Sequence, residues 1–186
     1  MDHAVLYGID TQKSLLTVHP FATGLAAALS HGLTIGIGNF AGTIDLVPET
    51  MKQASLKMRI KADSLTVNEQ MKEGDRREIE RVMRDEVLRI SEHSEVVFES
   101  SYIRVTPLSG QLYQADITGK LSLTGVTRDH SFSAQVVIGS NGLRANGTFK
   151  IKQTDFGIPL ITAGGGLLKL HDELKLHFYI VAERQN

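Results

Sequence analysis

The sequence contains no cysteine, almost no net charge and no long apolar run, and each absence excludes a class of protein. Without cysteine there is no disulfide, no thiolate metal site and no cysteine nucleophile. The 20 basic and 21 acidic residues leave a formal net charge of −1, so the chain lacks the electrostatic footprint of a protein that binds nucleic acid or acidic membranes. No stretch offers the roughly 18 uninterrupted apolar residues that a membrane-spanning helix requires.

The N-terminal residues bear on cellular location. They include Asp2 and Asp10 and lack a basic segment followed by an apolar one, so they do not form a secretory signal as they stand. We therefore expect a cytoplasmic protein, or a periplasmic one if a further segment precedes Met1. A length of 186 residues predicts a single domain spanning residues 1–186. The sequence leaves open whether the chain forms a homodimer.

What the sequence does contain is a strong alternation of apolar and polar residues between residues 117 and 157. Three successive runs carry it: Ile117–Leu123, Phe132–Ile138 and Leu143–Ile151. A period of two is typical of a strand with one face toward an apolar interior and the other toward water. The segment therefore predicts three consecutive strands.

Two short breaks separate these runs, and they differ in kind. Gly139–Gly142 contains residues that tolerate positive φ, so it predicts a tight hairpin. Gly125–Asp129 predicts a longer polar turn. Antiparallel strands joined in this way form a meander.

The rest of the chain adds further strands and two helices. Apolar runs and alternation predict strands at Ser14–Val18, Ser55–Ala62, Val96–Val105 and Glu173–Ala182, and either two strands or one bent strand over Leu33–Leu46. A short helix is predicted over Pro20–Ser30, because proline is favoured in the first helical turn and Gly32 follows its end. The main helix is predicted from Asp75 to about Ile90, since apolar residues recur there at helical spacing. Asp75 and Glu78 also match the capping-box pattern.

Together these elements predict a mainly β fold, an up-and-down antiparallel barrel of about eight strands with one main α-helix and a shorter helix. Closure is favoured because it removes the exposed edges that an open sheet would leave. A barrel of about eight strands is wide enough either to be filled by side chains or to hold one small ligand. The sequence leaves both alternatives open.

Four motifs in the second half of the chain carry a resemblance to a known family. They are GKLSLTGVTR at Gly119–Arg128, ANGTFKI with TDFGI at Ala145–Ile158, GLLKLHDEL at Gly166–Leu174, and VL with EVVFES at Val87–Ser100. Together they resemble the YceI-like family of polyisoprenoid-binding, lipocalin-like barrels. The resemblance covers about residues 9–182 and is strongest after Asp75.

Three features depart from the family pattern. Ser94 stands where a proline is usual, and Gln153 stands where arginine or asparagine is usual. Pro20–Gly38 is longer and richer in alanine than the corresponding family segment. The resemblance therefore does not carry over the identity of a ligand.

The resemblance implies that the protein binds, stores or transports a long-chain isoprenoid or another amphipathic lipid inside the barrel, with no cofactor, metal or catalytic residue. Each buried methylene contributes roughly 0.8 kcal/mol, so an apolar chain alone supplies a large driving force. The apolar residues of inward parity would line the cavity, although ordinary core packing also accounts for each one. These residues are Leu121, Leu123, Phe132, Val136, Ile138, Phe149, Ile151, Leu174, Leu176 and Phe178.

A lipid's polar head would lie at the barrel mouth, where one or two polar groups suffice to orient it. Arg128, Lys152 and Asp155 are polar residues near predicted turns that could meet such a head group. Asp155 has an alternative role, because its side chain could cap its own turn by hydrogen bonds to the backbone.

Two other functions stay open at this point. The first is an enzyme that acts on an amphipathic substrate and uses a histidine as general base; the candidates are His19, His31 and His177. The second is a structural or stress-related module whose barrel is filled by side chains. The seven histidines are scattered without metal-binding spacing, so we expect no metal site.

Overall fold

The structure, a computed structural model, describes residues 3–23, 33–48, 50–163 and 168–185. Its strands are β1 (Val5–Ile9), β2 (Leu15–Thr23), β3 (Ile35–Ile37), β4 (Phe40–Val47), β5 (Lys52–Lys61), β6 (Leu65–Val67), β7 (Glu95–Ser109), β8 (Leu112–Leu123), β9 (Val126–Ile138), β10 (Gly142–Lys152), β11 (Thr162–Ala163) and β12 (Leu168–Arg184). One helical segment consists of α1 (Glu73–Val82) and a π-helical turn (Met83–Val87), and 3₁₀ turns cover Ala62–Ser64 and Gln153–Phe156.

The strands form one closed antiparallel barrel of eight strands, as the sequence predicts. Three of the eight strands are bent: β1 continues into β2, β3 into β4, and β5 into β6. In the first half of the chain β4 pairs with β1 and β5, and β3 pairs with β2 and β6. The long strand β12 closes the barrel. Its residues 169–179 pair with β2 and its residues 182–184 pair with β1. Closure at β12 pairs backbone groups that would otherwise lie at a sheet edge.

The helical segment covers an interruption in the barrel wall. β6 pairs with β3, and the chain passes from β6 through the helical segment to β7. Side chains of α1 bond the free backbone of β6: Glu80 accepts from the Val67 amide at 3.0 Å, and Arg76 donates to the Val67 carbonyl at 3.2 Å. These bonds satisfy backbone groups that a partner strand would otherwise satisfy.

The apolar interior divides into two clusters along the barrel. The larger cluster includes Phe98, Leu121 and Ile151 and reaches the helical segment at Met83. The smaller one lies at the opposite end, where five buried side chains pack together: Tyr7, Leu46, Ile138, Leu143 and Ala182. Buried side chains therefore close that end of the barrel to solvent.

The predicted meander is confirmed, with one correction. β8, β9 and β10 follow in sequence, and Gly139–Gly142 forms a tight hairpin closed by a 2.8 Å backbone bond. The prediction of a polar turn over Gly125–Asp129 is wrong, because β9 begins at Val126. The turn is the two-residue loop Thr124–Gly125, with φ of +50° and +78°. Both values suit the primed turns of tight hairpins, but a β-branched threonine seldom adopts them.

The main helix differs from its prediction at both ends. It begins at Glu73 after Lys72 and ends at Val87, rather than running from Asp75 to Ile90. Asp75 is not the N-cap and makes no capping box. It lies in the first turn, where a negative charge is favoured by the amide dipoles of the helix.

The prediction of a short helix over Pro20–Ser30 is wrong over its first part. Residues 20–23 belong to β2, and residues 24–30 lie outside the described residues. Pro20 pairs with Leu174 next to an irregularity in the β2–β12 register. Proline cannot donate a ladder hydrogen bond, and such an irregularity is one of the few places where a strand accepts it.

A substitution at Gly147 tests how closely the barrel wall is packed. A Cβ at this position would lie 2.6 Å from Cζ of Phe178 and 2.7 Å from the carbonyl oxygen of Ser133. We predict that Gly147→Val lowers the free energy of unfolding by about 1–3 kcal/mol, because a ring and a strand backbone would have to move. Urea unfolding measures this change.

Gly74 provides the matched control. It lies in α1, and a Cβ added there would have no described atom within 4 Å, so Gly74→Ala adds a helix-favouring residue without a clash. We expect Gly74→Ala to leave stability unchanged or slightly raised. Equal stability of Gly147→Val and the parent protein would contradict the close packing described above.

Candidate functional site

An apolar cavity of about 450 Å³ occupies the barrel interior. All ten residues expected to face inward line it: Leu121, Leu123, Phe132, Val136, Ile138, Phe149, Ile151, Leu174, Leu176 and Phe178. Whether they contact a ligand stays a prediction. The interior is hollow rather than filled, and its volume falls in the range of sites that enclose most of a small ligand.

Small inward-facing residues explain why the barrel leaves this space. Ala115 and Ala134 are paired across β8 and β9, and Ala145 follows on β10; all three are buried and line the cavity. The backbone of a closed barrel fixes the distance between opposite walls. Alanine side chains are too short to span that distance, so the centre stays open.

Sequence reasoning missed the part of the lining that comes from the first half of the chain. Ile35 and Leu65 contribute from the paired strands β3 and β6, and Ile79 and Met83 contribute from the helical segment. The apolar stripe of the helix was visible in the sequence. Its position over the cavity was not, because the packing of α1 depends on β6, which is only three residues long.

A cluster of aromatic rings lies within the cavity wall. Phe132 and Phe149 stack with ring centroids 4.8 Å apart, and Phe98 and Phe178 pack against Phe132 at 5.3 Å and 5.7 Å. Stacked and edge-to-face pairs of this kind contribute about 0.5–1.5 kcal/mol each beyond the area they bury. The cluster gives the cavity a rigid apolar surface.

A second, polar pocket of about 250 Å³ adjoins β9, β10 and the 3₁₀ turn that follows β10. It brings together the three residues that the sequence suggested for a head group, Arg128, Lys152 and Asp155. The Nε of Arg128 donates to the backbone carbonyl of Asp155 at 3.0 Å. The remaining residues around it are Asp129, His130, Lys150, Ile151, Phe156 and Glu173.

The carboxylate that holds this 3₁₀ turn is Asp172, not Asp155. It accepts bonds from the backbone amide of Thr154 at 2.8 Å and from the Thr154 hydroxyl at 2.6 Å. These bonds hold the pKa of Asp172 below its usual value, with Lys152 contributing a smaller effect. The turn is therefore held by a carboxylate of β12 and not, as the sequence alternative has it, by Asp155.

Charge pairing leaves this pocket with unpaired positive groups. Lys150 forms an ion pair with Glu173 at 2.7 Å, and Asp129 is paired with a lysine of β8. Arg128 and Lys152 form no salt bridge with any residue that the structure describes. Among the described residues of the pocket, two cations therefore face one free carboxylate, that of Asp155. Arg128 and Lys152 are therefore the cations of the pocket that are open to an anionic group, with the Asp172 carboxylate near Lys152.

His130 lies where the cavity and the polar pocket meet, and sequence reasoning did not single it out. Its ring packs 5.1 Å from Phe149, and it lines both spaces. Its Nε2 atom is buried and has no hydrogen-bond partner among the described residues. Burial lowers the pKa of this imidazole, so it stays neutral at pH 7. The inward parity of β9, followed back from Phe132, would have indicated it.

The family is decided by comparison of the sequence with known families. The model described as the YceI-like domain matches residues 7–182. The chain belongs to the YceI-like family. No curated protein sequence is similar enough to count as a match.

Solved structures confirm that the fold is that of other YceI-like barrels. BcnA of Burkholderia cenocepacia aligns with a TM-score of 0.71 at 18% identity, covering 93% of this chain and 98% of that one. A polyisoprenoid binding domain from Saccharophagus degradans, implicated in plant cell wall breakdown, has a TM-score of 0.71 at 15% identity and covers 97% and 99%. The Campylobacter jejuni YceI protein gives 0.60 at 18%, covering 82% and 85%.

The histidines proposed as general bases are not at the point where the cavity and the polar pocket of this YceI-like barrel meet, which is the position of His130. The rings of His19 and His177 are in contact, with centroids 4.7 Å apart, and His19 Nε2 lies 2.9 Å from the hydroxyl of Thr17. Of these two histidines only His177 borders the cavity. His31 lies outside the described residues. Within the described part of the chain no three metal-binding side chains come together.

The helices of the described residues include none that is long and apolar enough to cross a membrane. The cytoplasmic location and the single domain over residues 1–186 stay predictions from the sequence.

The buried His130 imidazole predicts a pH-dependent stability. Burial lowers its folded pKa below the unfolded value of 6.5, so the unfolded chain takes up a proton first as the pH falls. The free energy of unfolding should therefore decrease as the pH drops below about 6.5. Thermal melts between pH 8 and pH 5 measure this change above the range in which carboxylates titrate.

Two variants separate the contributions. His130→Phe keeps a ring in the cluster and should reduce the loss of Tm between pH 8 and pH 5. His177, whose pKa is lowered by burial and by His19, provides the comparison through His177→Gln. An identical pH dependence in His130→Phe and the parent protein would show that the His130 imidazole is not desolvated.

Proposed function

We propose that this protein binds and carries one long-chain amphipathic lipid, with the chain in the apolar cavity and the head group in the polar pocket. The observation that carries the proposal is that the two spaces share two lining residues, His130 and Ile151, and so lie next to each other. An amphiphile has the same division into a long apolar part and a small polar part. The polyisoprenoid binding domain among the structural neighbours supports an isoprenoid as one class of ligand.

The energetics favour a long chain over a short one. Burying ten methylenes contributes roughly 8 kcal/mol, whereas association costs an estimated 4–15 kcal/mol in lost freedom. A short chain would therefore bind weakly, and each further methylene would strengthen binding until the cavity is full. Few polar atoms face the cavity, so the wall gives little discrimination among saturated, branched and isoprenoid chains.

The charges of the polar pocket favour an anionic head group, such as a carboxylate or a phosphate. Arg128 uses Nε to hold the Asp155 carbonyl, and its two terminal nitrogens make no bond to the described residues. Arginine presents these nitrogens in a planar fork that matches such oxygens. Lys152 adds a second cation beside it.

A binding role fits these observations better than catalysis. The cavity is lined almost wholly by side chains without acid, base or nucleophilic groups. The two ring nitrogens of His19 lie within hydrogen-bond distance of the Thr17 and Thr34 hydroxyls, rather than of a carboxylate that could orient a general base. We therefore propose a carrier or store of lipid, and the protein is expected to turn nothing over.

A cavity-filling variant tests where the chain binds. Ala145 is buried and faces the cavity, so Ala145→Phe should occupy space that the chain needs. We predict at least a ten-fold weaker affinity for long-chain fatty acids. The loss should grow with chain length, because each displaced methylene contributes roughly 0.8 kcal/mol. Titration with a series of saturated fatty acids, alongside a thermal melt, measures both effects.

Ala41→Phe is the matched control, because Ala41 is exposed on β4. It should leave the affinity for every chain length unchanged. If Ala145→Phe folds and binds the longest chains as well as Ala41→Phe does, the chain lies outside the cavity.

A second variant tests the head-group pocket. We predict that Arg128→Gln weakens binding of a long-chain carboxylate by about three- to ten-fold, the effect of losing a partly exposed charged contact. Binding of the alcohol of the same length should change much less. Arg144→Gln is the control, since Arg144 is exposed on β10 and is not among the residues around the pocket. Equal effects of both variants on the carboxylate would remove Arg128 from the site.

A further inference from the structure

Backbone pairing between β9 and β10 is interrupted along a seam, although the two strands stay close at its start, where a Cβ on Gly147 would lie 2.7 Å from the Ser133 carbonyl oxygen. The two strands are paired only near their hairpin, from Leu143↔Ile138 to Asn146↔Gln135. Beyond that point, residues 147–152 of β10 pair with β12 on one side but with no residue of β9 on the other. β9 continues to pair with β8 as far as the Thr124–Gly125 turn. Both strands lie entirely within the described residues.

Side chains rather than backbone bonds close this seam. Phe132 of β9 stacks on Phe149 of β10, and His130 packs against the same ring at 5.1 Å. At the end of the seam farthest from the hairpin, the guanidinium of Arg128 holds the carbonyl of Asp155. The interruption between β6 and β7 differs, because side chains of α1 bond its free backbone.

This difference sets how easily each part of the wall can open. Separating two paired strands breaks a ladder of backbone hydrogen bonds, which requires local unfolding. Parting the seam requires only that a few side chains change rotamer, which is a far faster motion. The seam is therefore the part of the described barrel wall that opens at least cost.

The seam also lies between the two spaces of the candidate site. His130 on β9 and Ile151 on β10, one from each side of it, line both the apolar cavity and the polar pocket. At the opposite end of the barrel the cavity ends against buried side chains of the smaller core cluster, among them Leu46, Ile138 and Leu143. A path from the polar pocket to the cavity leads past the His130 ring.

We propose that the seam between β9 and β10 is a lateral portal through which the lipid chain passes, and that His130 is the residue that closes it. The proposal rests on the proposed lipid-binding function. The head group stays in the polar pocket outside the seam, while the chain slides between the His130 and Ile151 side chains into the cavity. The unpartnered Nε2 of His130 then lies next to the first polar atoms of the ligand.

Cross-linking across the seam tests the portal, and the absence of native cysteine makes the experiment specific. Ser131→Cys with Thr148→Cys places thiols at exposed positions on β9 and β10, outside the polar pocket, where a short bismaleimide can join them. The control is Ser131→Cys with Thr118→Cys, which joins β9 to β8 at a pair that is already hydrogen-bonded. Stopped-flow fluorescence with anthroyloxy-labelled stearic acid measures the rates of uptake and release.

We expect the seam cross-link to slow uptake and release at least ten-fold relative to the same variant before cross-linking, with an equilibrium affinity changed less than three-fold. The control cross-link should change neither rate. Unchanged rates in both cross-linked proteins would overturn the portal while leaving lipid binding intact. No binding by the proteins before cross-linking would overturn the proposed function and the portal together.

His130→Ala provides a second test that needs no cross-link. Removing the ring should speed both uptake and release several-fold, because the side chain that closes the passage is gone. A variant that only loosened the fold would release the probe faster without taking it up faster. Rates equal to those of the parent protein would show that His130 does not close the passage.

Discussion

The pairing of β12 with both halves of the first bent strand is the constraint on which the rest of the structure depends. β12 pairs with β10 along one edge, and along the other it pairs first with β2 and then with β1. These backbone bonds fix the circumference of the barrel independently of the side chains inside. Because inward positions on β8, β9 and β10 include Ala115, Ala134 and Ala145, the fixed wall encloses more volume than its side chains fill.

An apolar space of this size has energetic consequences for the protein. The atoms that line it lack packing partners on one side, which is unfavourable in a structure otherwise packed to normal density. A ligand that binds only the folded state would supply those contacts and stabilise it according to its concentration and affinity. The closed end of the barrel, the helical segment and the seam differ in structure. Buried side chains form the first, the second covers β6, and the third lies between the cavity and the charged pocket.

The sequence predicted the parts of the molecule that follow from local periodicity. The alternation in β8, β9 and β10 predicted the strands, and the ten residues that it placed on the inward side all border the cavity. It did not predict the Thr124–Gly125 turn, because Thr124 adopts a positive φ that a threonine seldom adopts. A hydrogen bond from the Thr124 hydroxyl to the Phe156 carbonyl, at 2.6 Å, helps to hold this conformation. The parity of β9 places His130 on the inward side, but its position between the two spaces was not predictable. That position depends on where β9 and β10 separate, and no local pattern encodes the separation.

Native mass spectrometry of the protein purified from its own cells, followed by organic extraction, tests lipid binding in the barrel most directly. If the cavity holds a lipid, the measured mass exceeds that of the chain by one long-chain amphiphile, which extraction removes and identifies. The extracted protein should then take up a long-chain probe in its place. A mass equal to that of the bare chain, together with no uptake of long-chain probes, would contradict a lipid-binding role.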